Sequence, residues 1–251
     1  MDRRRSRGET CEVSEDRTGL GDVHLWWGWL DASEPAGDIL ATEVLSLDER
    51  ERAARFHFAR DQQRFILARG MLRHVLARYV CRRAQDITFQ YLSHGKPRLA
   101  DSGDIEFNLA HSHDLVLCAV SRAQVGVDVE RLQPVAEIEQ LARMTFSPAE
   151  QAALFALEPD QRLLGFFNGW TRKEAYVKAR GDGLAMRLDA FDVSLKPGEP
   201  AALLDNRLDP NEVARWSLAA ISPAEGYVAA VAAPSQGINV CVRQWEWLAS
   251  L

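Results

Sequence analysis

The sequence predicts an α+β protein built as two similar halves in one chain. Two observations carry that reading. A strand, two helices and a run of short strands follow one another in the first half, and the same order recurs in the second. The strand patterns that meet mid-chain, 115–121 and 125–130, are separated only by Arg122, Ala123 and Gln124. No short-period repeat accompanies this, so the halves correspond in element order alone. The expected division is 1–19 as a disordered tail, 20–123 as the first half and 124–251 as the second, with one core continuous across them.

In order, 23–30 is an aromatic-rich strand bounded by Asp31, Ser33, Pro35 and Gly37. Ser46 and Glu49 form a capping box that opens a helix expected to reach about residue 60. A second helical pattern covers 61–80, with Phe65, Leu72, Val75, Leu76 and Tyr79 as its buried stripe. Arg52, Arg55, Arg60, Arg64, Arg69 and Arg73 lend these helices a positive charge that suits phosphate, or simply solvated helix faces. Strands are expected at 87–91 and 105–108 with Gly95-Lys96-Pro97 as the turn between them, leaving His111 just past a strand end. Strands at 115–121 and 125–130 follow, then helices near 137–144, from Ser147, and over 161–180, the last ending at Gly181. Strands at 191–195, 216–221, 226–232 and 240–247 complete the second half.

Composition is that of a globular protein, with 47% hydrophobic and 26% charged residues. A net charge of -6 argues against a nucleic-acid binder, whose affinity comes from a basic face, and leaves room for a small anion in a local basic pocket. Cys11, Cys81, Cys118 and Cys241 lack metal-site spacing and read as free thiols. No apolar run approaches the roughly 18 residues of a membrane span, and no signal-peptide core follows the basic first residues. A cytoplasmic protein without membrane contact is expected.

Two stretches carry chemistry. On a helix, Leu163, Phe166, Phe167, Trp170, Glu174, Val177 and Lys178 share one stripe, with Arg172, Ala179 and Arg180 opposite. A carboxylate within an apolar stripe needs a cation, and Lys178, one turn on, offers a local ion pair; a binding site is the other reading. In Gly126-Val127-Asp128-Val129-Glu130 the valines point one way, and Asp128 and Glu130 the other, roughly 7 Å apart by strand rise. Two carboxylates on one face suit Mg²⁺ shared with substrate phosphates, or a solvent-facing strand end. His111 with His113 as a zinc pair, and His111 as a packed histidine, are further readings of that segment.

G-V-D-V-E followed some forty residues later by W-T-R-K-E-A-Y-V-K-A-R-G-D-G-L, with G-K-P and F-N-L-A-H-S before them, resembles the 4'-phosphopantetheinyl transferases of the larger surfactin-synthetase-activating type. The resemblance covers roughly residues 46 to 195. It implies a pseudo-dimeric fold with the active site in the cleft between the halves. It also implies transfer of phosphopantetheine from coenzyme A to a serine of an acyl or peptidyl carrier protein, leaving 3',5'-ADP. Such carriers serve fatty-acid, polyketide and nonribosomal-peptide synthesis. By the resemblance Asp128, Glu130 and Glu174 hold Mg²⁺, Glu174 is also the general base, and Lys178 assists the leaving group. His111, with Asn108 and Ser112, matches a diphosphate-contacting segment. Lys96 matches a phosphate-binding lysine, and Arg52 lies where a basic residue meets the 3'-phosphate. Leu184, Met186 and Leu188 are candidates for carrier docking, or for core beyond the helix. Ala110 and Asp182 depart from the pattern, where a serine and a lysine are common.

Alternatives from other classes are a Mg²⁺-dependent phosphodiesterase acting on a nucleotide-like diphosphate and a silent coenzyme A- or carrier-binding module. Two fused halves supply a complete cleft, so a monomer is expected.

Overall fold

The computed structural model describes residues 23–31, 34–92, 95–101, 103–181 and 186–247, the side chains of 34–36 excepted. The expected tail lies outside them. The first half contains β1 (Val23–Trp29), α1 (Glu34–Ile39) running into a π turn (Leu40–Val44), α2 (Leu47–Ala53), α3 (Ala59–Val80), β2 (Phe89–Tyr91), β3 (Pro97–Leu99), β4 (Glu106–Ser112) and β5 (Leu115–Ser121). Beyond these come β6 (Gly126–Arg131), α4 (Ile138–Thr145), α5 (Pro148–Phe155), α6 (Pro159–Arg180), β7 (Phe191–Val193), β8 (Leu203–Asn206), α7 (Glu212–Arg215), β9 (Trp216–Ile221), β10 (Tyr227–Pro234) and β11 (Val240–Gln244).

Strand alternation sorts the core into layers. One sheet has the order β11-β1-β5-β4 and the other β6-β10-β9. Trp26, Val116, Cys118 and Val120 meet Met71, Leu72, Val75, Leu76 and Tyr79 of α3. The alternate residues Val23, Leu25, Leu115, Leu117 and Ala119 meet Val125, Val127, Val129, Ala229 and Val231 of the second sheet. The far face of that sheet, through Ala230 and Ala232, packs on Ala175, Tyr176 and Ala179 of α6. The layers therefore run helix, sheet, sheet, helix. β5 is buried along its whole length, which explains its unbroken apolar run. Hairpins β2-β3 and β7-β8 occupy corresponding places after the two 22-residue helices.

Several expectations change. Strand 240–247 is expected in the second half, but β11 pairs parallel with β1, and Trp245 buries in the α3 core beside Trp26. The first sheet thereby gains a strand that only a chain return can supply. β4 extends to Ser112, so His111 lies inside a strand. The helix after Ser46 stops at Ala53, and β3 and β8 are additional strands.

The arginines divide by burial rather than by spacing. Arg69 and Arg73 are buried and both pair with Glu49, at 2.6 Å each, and Arg73 also donates to Ala84 O and Ile87 O. They anchor α2 to α3 and have no free face for phosphate. Cys118 and Cys241 are free thiols, whereas Cys81 is disulfide-bonded, contrary to the expectation for all four cysteines. Among the described residues no helix is long and apolar enough to cross a membrane.

Candidate active site

The helix that carries Glu174 is buried on two sides: Phe166, Phe167 and Val177 of the expected apolar stripe are buried, and so is much of the opposite face. Arg172, Lys173, Ala175, Tyr176 and Ala179 are buried, while Glu174 and Lys178 are half-exposed. Hydrophobicity alone did not mark this second buried side, because its cations are satisfied by polar groups a periodicity argument cannot see. Arg172 donates to Ser194 O and Oγ at 2.7 and 3.0 Å. Lys173 donates to Leu188 O and Phe191 O and pairs with Glu150 at 2.7 Å. Glu150 also accepts from the Ser147 and Val193 amides. Tyr176, Arg180 and Trp216 converge on the buried Glu212. These contacts lock α6 to its surroundings and aim Glu174 and Lys178 into the cleft.

Close approach of α6 to β6 depends on Gly126. A Cβ at that position would lie 2.0 Å from Ala175 O and 2.3 Å from Ala179 N. Backbone contact of that closeness lets Lys178 Nζ reach Asp128 Oδ1 at 2.6 Å. The Glu174 to Lys178 ion pair read from the helix is not formed; Lys178 pairs with Asp128. The other oxygen, Asp128 Oδ2, is buried and has no hydrogen-bond partner. Burial pushes the Asp128 carboxyl up to about 7 against the pull of Lys178, and the Glu130 and Glu174 charges push the same way. Glu130 is held by Ser112 Oγ at 2.8 Å.

The first half supplies the facing wall. Asn108 Oδ1 accepts from the Val127 amide at 2.8 Å, joining β4 to β6, and Asn108 also lines the cavity. His111 sits at the exposed margin of β4; desolvation on its crowded side, then the Lys178 and Arg64 charges, lower its pKa. Lys96 lines the cavity, and its ammonium donates to Val125 O, Lys178 O and Ala179 O. Ser112 is engaged by Glu130 and by the Arg131 amide. Arg52 does not line the cavity; its guanidinium lies over Phe65, 5.4 Å from the ring centroid. A cavity of about 440 Å³ lies between the walls, lined by Lys96, Asn108, Glu174, Val177, Lys178 and Met186 among others.

The chain also matches known proteins. Residues 124–232 match the model of the 4'-phosphopantetheinyl transferase superfamily, and residues 34–123 that of the 4'-phosphopantetheinyl transferase N-terminal region. It is 42% identical over 221 residues to the 4'-phosphopantetheinyl transferase HetI of Nostoc sp., covering 86% of this chain and 89% of that one. The chain belongs to the 4'-phosphopantetheinyl transferase family. To 4'-phosphopantetheinyl transferase Sfp of Bacillus subtilis this transferase is 32% identical over 151 residues, 60% of its own length and 66% of the other.

Among the described residues no group of three or more His, Cys, Asp or Glu side chains is placed to hold a metal ion by itself. Mg²⁺ does not require one, because it keeps several waters and shares substrate phosphate oxygens. An orphaned buried oxygen on Asp128, flanked by the Glu130 and Glu174 charges and balanced by one lysine, fits such an ion.

Sequence reasoning missed three contributors to this transferase site. Glycine inside a strand pattern was the available signal for Gly126, since it marks close backbone approach. Glu150 closes the capping box with Ser147, and its second role on Lys173 is invisible without the fold. Arg64, which pairs with Asp114 at 2.6 Å in the turn beside His111, was one of six arginines with nothing in its spacing to single it out.

Proposed function

We propose that this transferase moves phosphopantetheine from coenzyme A to a carrier-protein serine in the cleft between α6 and the first-half wall formed by β4 and the turn before β3. The observation that carries the reading is the half-satisfied Asp128 carboxylate, with Oδ1 on Lys178 and Oδ2 unpartnered. Asp128, Glu130 and Glu174 would hold Mg²⁺, which when bound offsets charge on the coenzyme A diphosphate. Ser112 Oγ donates to Glu130 and restrains that carboxylate.

Glu174, half-exposed in the cavity wall, takes the proton of the serine hydroxyl, directly or through a water. Lys178 neutralises the phosphate oxygens that leave with 3',5'-ADP. His111, kept neutral over more of the pH range by its lowered pKa, offers a hydrogen bond to the diphosphate rather than a fixed charge. Val177, Met186 and Leu188 give the cavity an apolar side suited to the pantetheine arm. Met186 and Leu188 line the cavity and also pack into the core beyond the helix, whereas Leu184 falls outside the described residues. Both walls come from one chain, which supports a monomer, acting in the cytoplasm on acyl or peptidyl carrier domains.

The test is incubation with coenzyme A and Mg²⁺, with and without an apo carrier. Release of 3',5'-ADP only with the carrier, together with a carrier mass gain of one phosphopantetheine, is expected. Release without the carrier would mean hydrolysis instead.

A further inference from the structure

The last carbonyls of a helix have no donor within it. In α6 the Gly181 amide takes Val177 O, and the next two carbonyls, of Lys178 and Ala179, are met from the opposite half of the molecule. Lys96 Nζ lies 2.7 Å from Lys178 O, 3.3 Å from Ala179 O and 3.2 Å from Val125 O. An ammonium has three N–H donors, and three carbonyls engage all of them. A cation here also meets the negative end of the helix dipole. Among the described residues no carboxylate forms an ion pair with it.

The three acceptors belong to two segments of the site. Val125 immediately precedes β6, three residues before Asp128, and Lys178 is itself a cleft residue. Lys96, in the turn before β3, therefore grips the end of α6 and the start of β6 together. A bond to the Lys178 carbonyl restrains the Cα from which the side chain reaches Asp128.

We propose that Lys96 is a positioning residue, a clamp from the first half that holds Lys178 in register with Asp128, and not a phosphate ligand. It acts on transfer through Lys178. The inference rests on the roles proposed above for Asp128 and Lys178.

The experiment pairs kinetics with chemical labelling. In Lys96→Met, kcat falls about 10- to 100-fold, as misplacement of a reacting group implies, while KM for coenzyme A and the Kd of 3',5'-ADP change less than about threefold. A tenfold or greater loss of affinity for coenzyme A and 3',5'-ADP at unchanged kcat would overturn the clamp, as would a variant with no kinetic change. Labelling of the unaltered protein with an amine-acylating reagent keeps the proposal testable if Lys96→Met does not fold. Lys96 should label at least about tenfold more slowly than the exposed Lys196, with or without coenzyme A. Rapid labelling that coenzyme A suppresses would instead mark a phosphate contact and overturn the clamp. Lys178→Ala is measured alongside. If that variant keeps full kcat, the failure lies in the role given to Lys178, and the labelling still decides the clamp.

Discussion

Lys178 Nζ and Asp128 Oδ1 are 2.6 Å apart, joining the last turn of α6 to the middle of β6. The bond ties a half-exposed cation to a buried carboxylate whose other oxygen is unpartnered. Lys178→Ala removes the cation proposed to assist the leaving group, so kcat should fall about 100-fold or more while KM for coenzyme A changes less. Steady-state kinetics with an apo carrier check this. A rise in KM alone, with kcat intact, would contradict it.

Glu174→Gln preserves shape and removes the basic oxygen. Transfer should drop by about 10² to 10⁴-fold. Stability should stay within about 0.5 kcal/mol, because the side chain is half-exposed and makes no buried ion pair. Carrier mass spectrometry and a denaturant titration read the two effects separately.

Gly126→Ala tests the helix-to-strand approach. Its new Cβ would have to displace Ala175 O and Ala179 N, both backbone atoms 2.0 and 2.3 Å away. Overpacking of this sort costs about 1–3 kcal/mol or more. Activity should be lost beyond that, because α6 must shift away from Asp128. A variant as stable and as active as the parent would refute the close packing.

Glu150→Ala leaves the buried Lys173 ammonium without its carboxylate. Burial already works against both charges, raising the pKa of Glu150 and lowering that of Lys173. Breaking a buried pair of this type costs about 3–5 kcal/mol. A fall in the denaturation midpoint checks it, with α6 loosening and transfer declining together.

Asp114, held by Arg64 and Arg60, gives a pH-dependent test. The Arg64 hydrogen bond, with smaller help from Arg60, holds the carboxyl below the usual range. A depressed folded-state pKa means the contribution is present above the unfolded value of about 3.9 and is lost as pH falls through the folded value. The pair is solvent-screened, so Asp114→Asn should cost only about 0.2–1 kcal/mol at neutral pH. Parent and variant should become equally stable in acid. Melting curves across that range measure the convergence.

The sequence by itself determined the two α+β halves, the long helix ending at Gly181 and the pairing of G-V-D-V-E with the W-T-R-K-E segment. The pairing of the two segments came from the family resemblance, and the other features follow from local rules: alternation along strands, capping chemistry and residue spacing. They suffice to put Asp128 and Glu130 on one face and Glu174 one turn from Lys178.

Which cation meets which acid is set by the packed fold. Lys178 turns to Asp128 instead of Glu174, Arg69 and Arg73 go to Glu49, and Lys96 goes to three carbonyls. The return of β11 to the first sheet was likewise decided there. In each case the partners lie 20 or more residues apart, and the pairing follows from desolvation. A charge removed from water takes whichever oxygen the packed layers bring within reach, and spacing along the chain does not specify that oxygen.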